Sequence, residues 1–88
     1  MSRVDKNNAW AYRNKGIYFF KTKEYQQAIN MLDTSLKIDN ELDQANYYLG
    51  LTYNELGERE KSCQHLETAA NNGELDAINQ LKKICQKE

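Results

Sequence analysis

At 88 residues and without proline, the chain is one small domain, near the size at which a single core is only marginally stabilising. Its 12 basic and 13 acidic side chains nearly cancel to a formal net charge of -1, which excludes the broad positive field that phosphate backbones require and argues against nucleic acid as a partner. No run of about 18 apolar residues occurs and Met1–Asn7 has no apolar signal core, so no membrane segment or export signal is encoded and a cytoplasmic setting is the default. Cys63 and Cys85 are able to pair, but two cysteines in a helical chain of this kind read as reduced thiols.

Residues 1–8 are predicted to form a flexible, polar N-terminal segment. From Asn8 to Lys21, Ala9, Trp10, Tyr12, Gly16, Phe19 and Phe20 recur at helical spacings, with Ile17 and Tyr18 widening the apolar face. Thr22 and Lys23 interrupt it. Tyr25, Ala28, Ile29, Leu32, Ser35 and Leu36 then form the stripe of a second helix ending near Lys37. In the linker Ile38-Asp39-Asn40-Glu41, Asp39 or Asn40 is placed to cap a third helix over about Leu42 to Leu56. Gly57 is a natural stop. A fourth helix, roughly Glu58 to Asn71, buries Ser62, Cys63, Leu66, Ala69 and Ala70, and Asn72-Gly73 ends it. From Leu75 to about Gln86 a fifth, amphipathic helix gathers Ala77, Ile78, Leu81, Ile84 and Cys85 on one side, with Lys82, Lys83 and Lys87 suiting the dipole at its end.

The first pair of helices and the second share a pattern displaced by 34 residues: Gly16 and Gly50, Phe19 and Tyr53, Ala28 and Ser62, Leu32 and Leu66, Ser35 and Ala69. A period of that length means stacked helical hairpins. Gly16 and Gly50 would let paired helices approach closely, with Ala28 and Ser62 opposite; Lys23 stands where the second copy has Gly57, so a left-handed turn there bears a side chain.

These residues resemble the tetratricopeptide repeat: Ala9 to Phe20, then Glu24-Tyr25-Gln26-Gln27-Ala28-Ile29, Leu32, Ser35-Leu36 and Asp39 in one copy, and Leu49-Gly50, Tyr53, Gly57, Ser62, Leu66 and Ala69-Ala70 in the next. The usual proline near each repeat end is replaced by Asn40 and Glu74, and Glu67 to Gly73 with Ala77 and Leu81 is closer to the related Sel1-like repeat. The resemblance implies an all-α fold, a right-handed superhelical stack of antiparallel hairpins with about five helices. It divides the chain into repeats over 9–42 and 43–76 and a capping helix over 77–88. Lys15 replaces the leucine that faces an earlier unit, which suits a first repeat, whereas Asp5 to Ala9 resembles the tail of a preceding one.

The resemblance also implies a concave, peptide-binding groove. Carried over residue by residue, it consists of Trp10, Arg13, Asn14, Ile17, Phe20 and Lys21, then Gln44, Tyr47, Tyr48, Leu51, Asn54 and Glu55, with Ile78, Leu81 and Lys82 from the cap. The apolar members would serve equally as packing between helices, and Trp10 as cover for the first hairpin's edge. The chaperone-carboxylate clamp of one subclass is not expected, because its asparagine positions fall on Ile17 and Tyr48, which lack amides. An apolar or aromatic-rich helix or extended segment of another protein fits better. Self-association through the terminal faces, or assembly within a longer repeat protein, is the rival reading.

No catalytic, cofactor-binding or metal-binding residue is nominated, and no cofactor is expected. Cys63 and His65 lie two residues apart, on different sides of a helix. Cys85 with His65 as nucleophile and base is weaker than a packed thiol and a surface histidine.

Overall fold

The structure is a computed structural model that describes residues 6–85. The described residues form five helices and no strand: α1 (Lys6–Lys21), α2 (Tyr25–Ile38), α3 (Ala45–Glu55), α4 (Arg59–Asn71) and α5 (Leu75–Ile84). Each packs on the next, giving an all-α helical stack. None of these helices is long and apolar enough to cross a membrane. The expectations for residues 1–5 and for Gln86 and Lys87 lie outside the described residues.

The close approach inferred at the glycines is present, and its partner is a leucine. A Cβ built on Gly16 would stand 2.6 Å from Leu32 Cγ and 3.3 Å from the Ala28 carbonyl. On Gly50 it would stand 2.6 Å from Leu66 Cγ and 3.1 Å from the Ser62 carbonyl. Both leucines are fully buried, so each glycine is the floor on which a leucine of the paired helix rests. In the second hairpin Ser62 Oγ also donates to the Gly50 carbonyl at 2.7 Å, tying α4 to α3 at that crossing.

Three helix ends close in the same way. At Lys23, Gly57 and Gly73 the backbone turns left-handed, with φ of 69, 82 and 89°. The following N–H then reaches back five residues, from Glu24 to the Phe19 carbonyl (2.8 Å), Glu58 to Tyr53 (2.9 Å) and Glu74 to Ala69 (3.2 Å). Lys23 adopts this turn despite its Cβ. Thr22 Oγ1 braces it, donating to the Phe19 carbonyl or to Glu24 Oε2, each at 3.1 Å.

Three boundaries differ from expectation. α1 starts at Lys6, so residues 6–8 belong to the helix rather than to a flexible segment. Ala9 is fully buried, and a helical turn fixed there extends back to the residues whose carbonyls it uses. α3 starts at Ala45 rather than near Leu42, because Gln44 is itself left-handed at φ 71° and breaks the helix before it. Neither Asp39 nor Asn40 therefore caps α3; Asp39 is the C-cap of α2, its N–H donating to the Ser35 carbonyl, and its Oδ1 accepts from the Glu41 N–H at 3.2 Å. α5 ends at Ile84 rather than near Gln86.

The core has two centres. Ile29, Leu32 and Leu49 form one, with Leu36, Tyr48 and Tyr53 against it. Leu66, Ala69 and Ala77 form the other, covered by Tyr47, Ala70, Leu81, Ile84 and Cys85. The reduced-thiol expectation is overturned here: Cys63 and Cys85 are joined by a disulfide between α4 and α5, with Cα atoms 5.8 Å apart. The cysteines fall 22 residues apart in sequence, but the α4–α5 hairpin turns back on itself and brings their faces together.

Candidate functional site

The nominated groove residues of α1 and α3 assemble into a run of aromatic rings with a cation at one side. Phe20 meets Tyr48 edge to face at 5.6 Å between centroids, and Tyr48 meets Tyr47 at 5.1 Å. Phe20 also leans on Tyr25 of α2 at 6.0 Å. All four rings are half-buried, as are Ile17 and Leu51. Tyr48 rests on the first core centre and Tyr47 on the second, so each ring has one face committed to packing.

Arg13 links this run to the junction before α3. Its Nη1 donates to the Asp43 carbonyl at 3.2 Å and its Nη2 to Asn14 Oδ1 at 3.1 Å, while the guanidinium lies 5.4 Å from the centre of the Trp10 ring. The Nε–H is shielded from solvent and has no hydrogen-bond partner among the described residues. Trp10 is 56% exposed, so the ring and cation form a ledge open to solvent.

Beyond Tyr47 the character changes. A hollow of about 460 Å³ is lined by Asp43, Gln44, Tyr47, Gly73, Glu74, Leu75 and Asp76. Gln44 serves it with its backbone, donating its N–H to both Glu74 carboxylate oxygens at 3.2 Å. Burial raises the Glu74 carboxyl above its ordinary range; the Gln44 N–H and Arg13 oppose the shift, and Asp43 and Asp76 reinforce it. Burial also raises the Tyr47 hydroxyl, followed by the Asp76 carboxylate. This end of the run is acidic and would repel an anion.

Lys82 is not brought to the aromatic run. It lines a separate, apolar hollow of about 450 Å³ with Cys63, Glu67, Ile78, Leu81 and Cys85, between α4 and α5. Asn14 and Gln44 are exposed at the edges of the run.

His65 is not the surface side chain expected from sequence. Its ring stacks on Tyr53 at 5.6 Å and 7° between planes, and Nδ1 lies 2.8 Å from Oδ1 of buried Asn46. Desolvation lowers its pKa, Asp33 opposes that shift and Lys61 adds to it. Both cysteine sulfurs are consumed by the disulfide, so Cys85 has no thiol to offer a neighbouring base.

Asp43, Glu74 and Asp76 are not among the residues nominated from sequence. They converge because the α2–α3 junction and the α4–α5 turn lie side by side, a proximity visible in sequence only through the repeat period. Compared with known proteins, the chain matches no family model and no curated protein.

Proposed function

We propose that the protein is a non-catalytic interaction module of the tetratricopeptide type, holding a peptide segment or helix of a partner protein along α1 and α3. The observation that carries this reading is the continuous run Phe20–Tyr48–Tyr47, with rings 5.6 and 5.1 Å apart, extended by the exposed Trp10–Arg13 ledge. Rigid aromatics bind with little loss of side-chain entropy, and a guanidinium beside them fixes ligand direction. The recurrence of the Gly–Leu contact and of the left-handed turn at the 34-residue period supports the repeat assignment. The acidic hollow past Tyr47 favours a ligand whose apolar stretch is followed by a basic residue. A cytosolic setting has lost part of its ground, since disulfides persist in oxidising compartments.

Peptides selected from a displayed library against the whole chain test the reading. Binding peptides should perturb NMR signals around Trp10, Phe20, Tyr47 and Tyr48, and Trp10→Ala with Arg13→Ala should weaken them by about tenfold or more. Perturbations confined to the outer faces of α2 and α4, or undiminished binding by the folded double variant, would refute it. One observation favours self-association as a second reading: Trp10 and Tyr18 are 56% and 61% exposed on α1. Sedimentation at rising concentration separates the two, because only self-association makes the mass concentration-dependent.

A further inference from the structure

α5 is the least self-supporting helix of the stack. At 10 residues it is shorter than the ~12–15 residues at which an isolated helix becomes even marginal. Ala77 is its one fully buried side chain, Leu75 in its first turn is 73% exposed, and Ile78, Leu81, Ile84 and Cys85 are half-buried. Its N-terminal end joins α4 through the exposed Asn72-Gly73 turn, where Gly73 is left-handed and nothing lies within 4 Å of the space a Cβ would take. Such a turn is a ready hinge. The C-terminal end is fastened twice. Arg59 of α4 donates from Nε and Nη2 to the Ile84 carbonyl at 3.1 and 2.8 Å, and the adjacent Cys85 is bonded to Cys63.

We propose that the Cys63–Cys85 disulfide is a redox latch on α5, which on reduction swings about Gly73 off α4 while α1 to α4 stay folded.

The residues beneath α5 give the latch its consequence. Leu66 and Ala69 of α4 have zero exposure only while α5 lies over them with Ala77, Leu81 and Ile84. Release bares this seam together with Tyr47, and α1 and α2, whose core centre lies elsewhere, keep their packing. The sulfurs are within reach of a reductant, because both cysteines are half-buried and line the open hollow between α4 and α5. Two charged groups face that hollow, Lys82 and Glu67; the ammonium favours a thiolate and the carboxylate opposes it. The exchange balances with a dithiol reductant. Its thiolate attacks one sulfur, the other cysteine leaves as a thiolate, and the second thiol resolves the mixed disulfide. The cysteine pair gains two electrons and two protons, and the reductant closes to a disulfide.

The test is residue-resolved hydrogen exchange on the whole chain, oxidised, then reduced with excess dithiothreitol, then reoxidised. The loop closed by the bond spans 22 residues, a constraint on the order of 10²-fold in the opening equilibrium. Protection at Asn79 to Ile84 should fall by that order on reduction, return on reoxidation, and change little in α1 and α2. The variant Cys63→Ala/Cys85→Ala should exchange like the reduced chain without reductant. Unchanged protection in α5 overturns the proposal, as does loss of protection in all five helices together. Alkylation of both cysteines in the oxidised chain, which would show that no bond forms, overturns it equally.

Discussion

Replacing Gly16 by alanine sets two known effects against each other. In a helix interior alanine is favoured over glycine by ~1 kcal/mol. Against this, the new Cβ would stand 2.6 Å from Leu32 Cγ and 2.8 Å from Cδ2, whereas carbon atoms settle at about 3.5–4.0 Å. Leu32 must therefore retreat by roughly an ångström, and it is fully buried. Overpacking of that kind costs ~1–3 kcal/mol, so the variant should lose a net ~0–2 kcal/mol. With an unfolding entropy near 2.1 cal/mol/K per residue, each kilocalorie is worth about 5 °C in this chain. Urea denaturation gives the free energy, and Leu32→Ala supplies the decisive comparison. Alone it should cost ~2–5 kcal/mol through the cavity it leaves. In the Gly16→Ala/Leu32→Ala pair the new methyl group enters that cavity, so the pair should cost at least ~1 kcal/mol less than the sum. Additivity within about 0.5 kcal/mol would show that the two residues do not share one space, and the packing argument would fail.

Lys23→Gly removes a Cβ from a left-handed residue, worth ~1–2 kcal/mol, against ~0.4–1 kcal/mol for the freer unfolded chain. The net should be neutral to about 1.6 kcal/mol stabilising, and a clear drop in urea midpoint would refute the turn argument. His65 gives a pH dependence of definite sign. Its folded pKa lies below the unfolded value of 6.5, so its contribution is fully present above that pH and is lost as pH falls through the folded pKa. The melting temperature should therefore fall more between about pH 7 and pH 5 than that of His65→Gln; parallel curves would show that the stacked imidazole titrates as it does in the unfolded chain.

The helices were legible because each carries its own period, and Gly57 and Gly73 announced their turns. Gln44 did not. Nothing in Asp43-Gln44-Ala45 marks a left-handed glutamine, and the apolar period of α3 runs straight through it, so the period alone carries the helix back to Leu42. The role of Gly16 was readable from its type and spacing, but the side chain that fills its place was not. Ala28 was expected opposite, whereas Leu32 comes nearest because a helical side chain leans back toward the preceding turn. Among the residues nominated for a groove, Phe20, Tyr47 and Tyr48 come together, whereas Lys82 does not, because α5 turns that side chain toward α4 and the disulfide. The disulfide leaves no mark in the local sequence. Two cysteines in a helical chain suggested thiols, and only the α4–α5 hairpin brings them to bonding distance.

The same 34-residue register that relates Gly16 to Gly50 arrives next at Ile84. In the first two hairpins the glycine at that position leaves room for a leucine of the paired helix. Ile84 instead turns its own bulk onto Leu66, Ala69 and Ala77, its carbonyl is taken by Arg59, and the next residue is bonded back to α4. A helix approaching α5 as α4 approaches α3 would meet a branched side chain where its leucine needs a floor. At Ile84, α5 thus covers α4 with a branched side chain, where Gly16 and Gly50 each admit a leucine. The 34-residue spacing meets Ile84 instead of a third glycine, immediately before the cysteine that bonds α5 to α4.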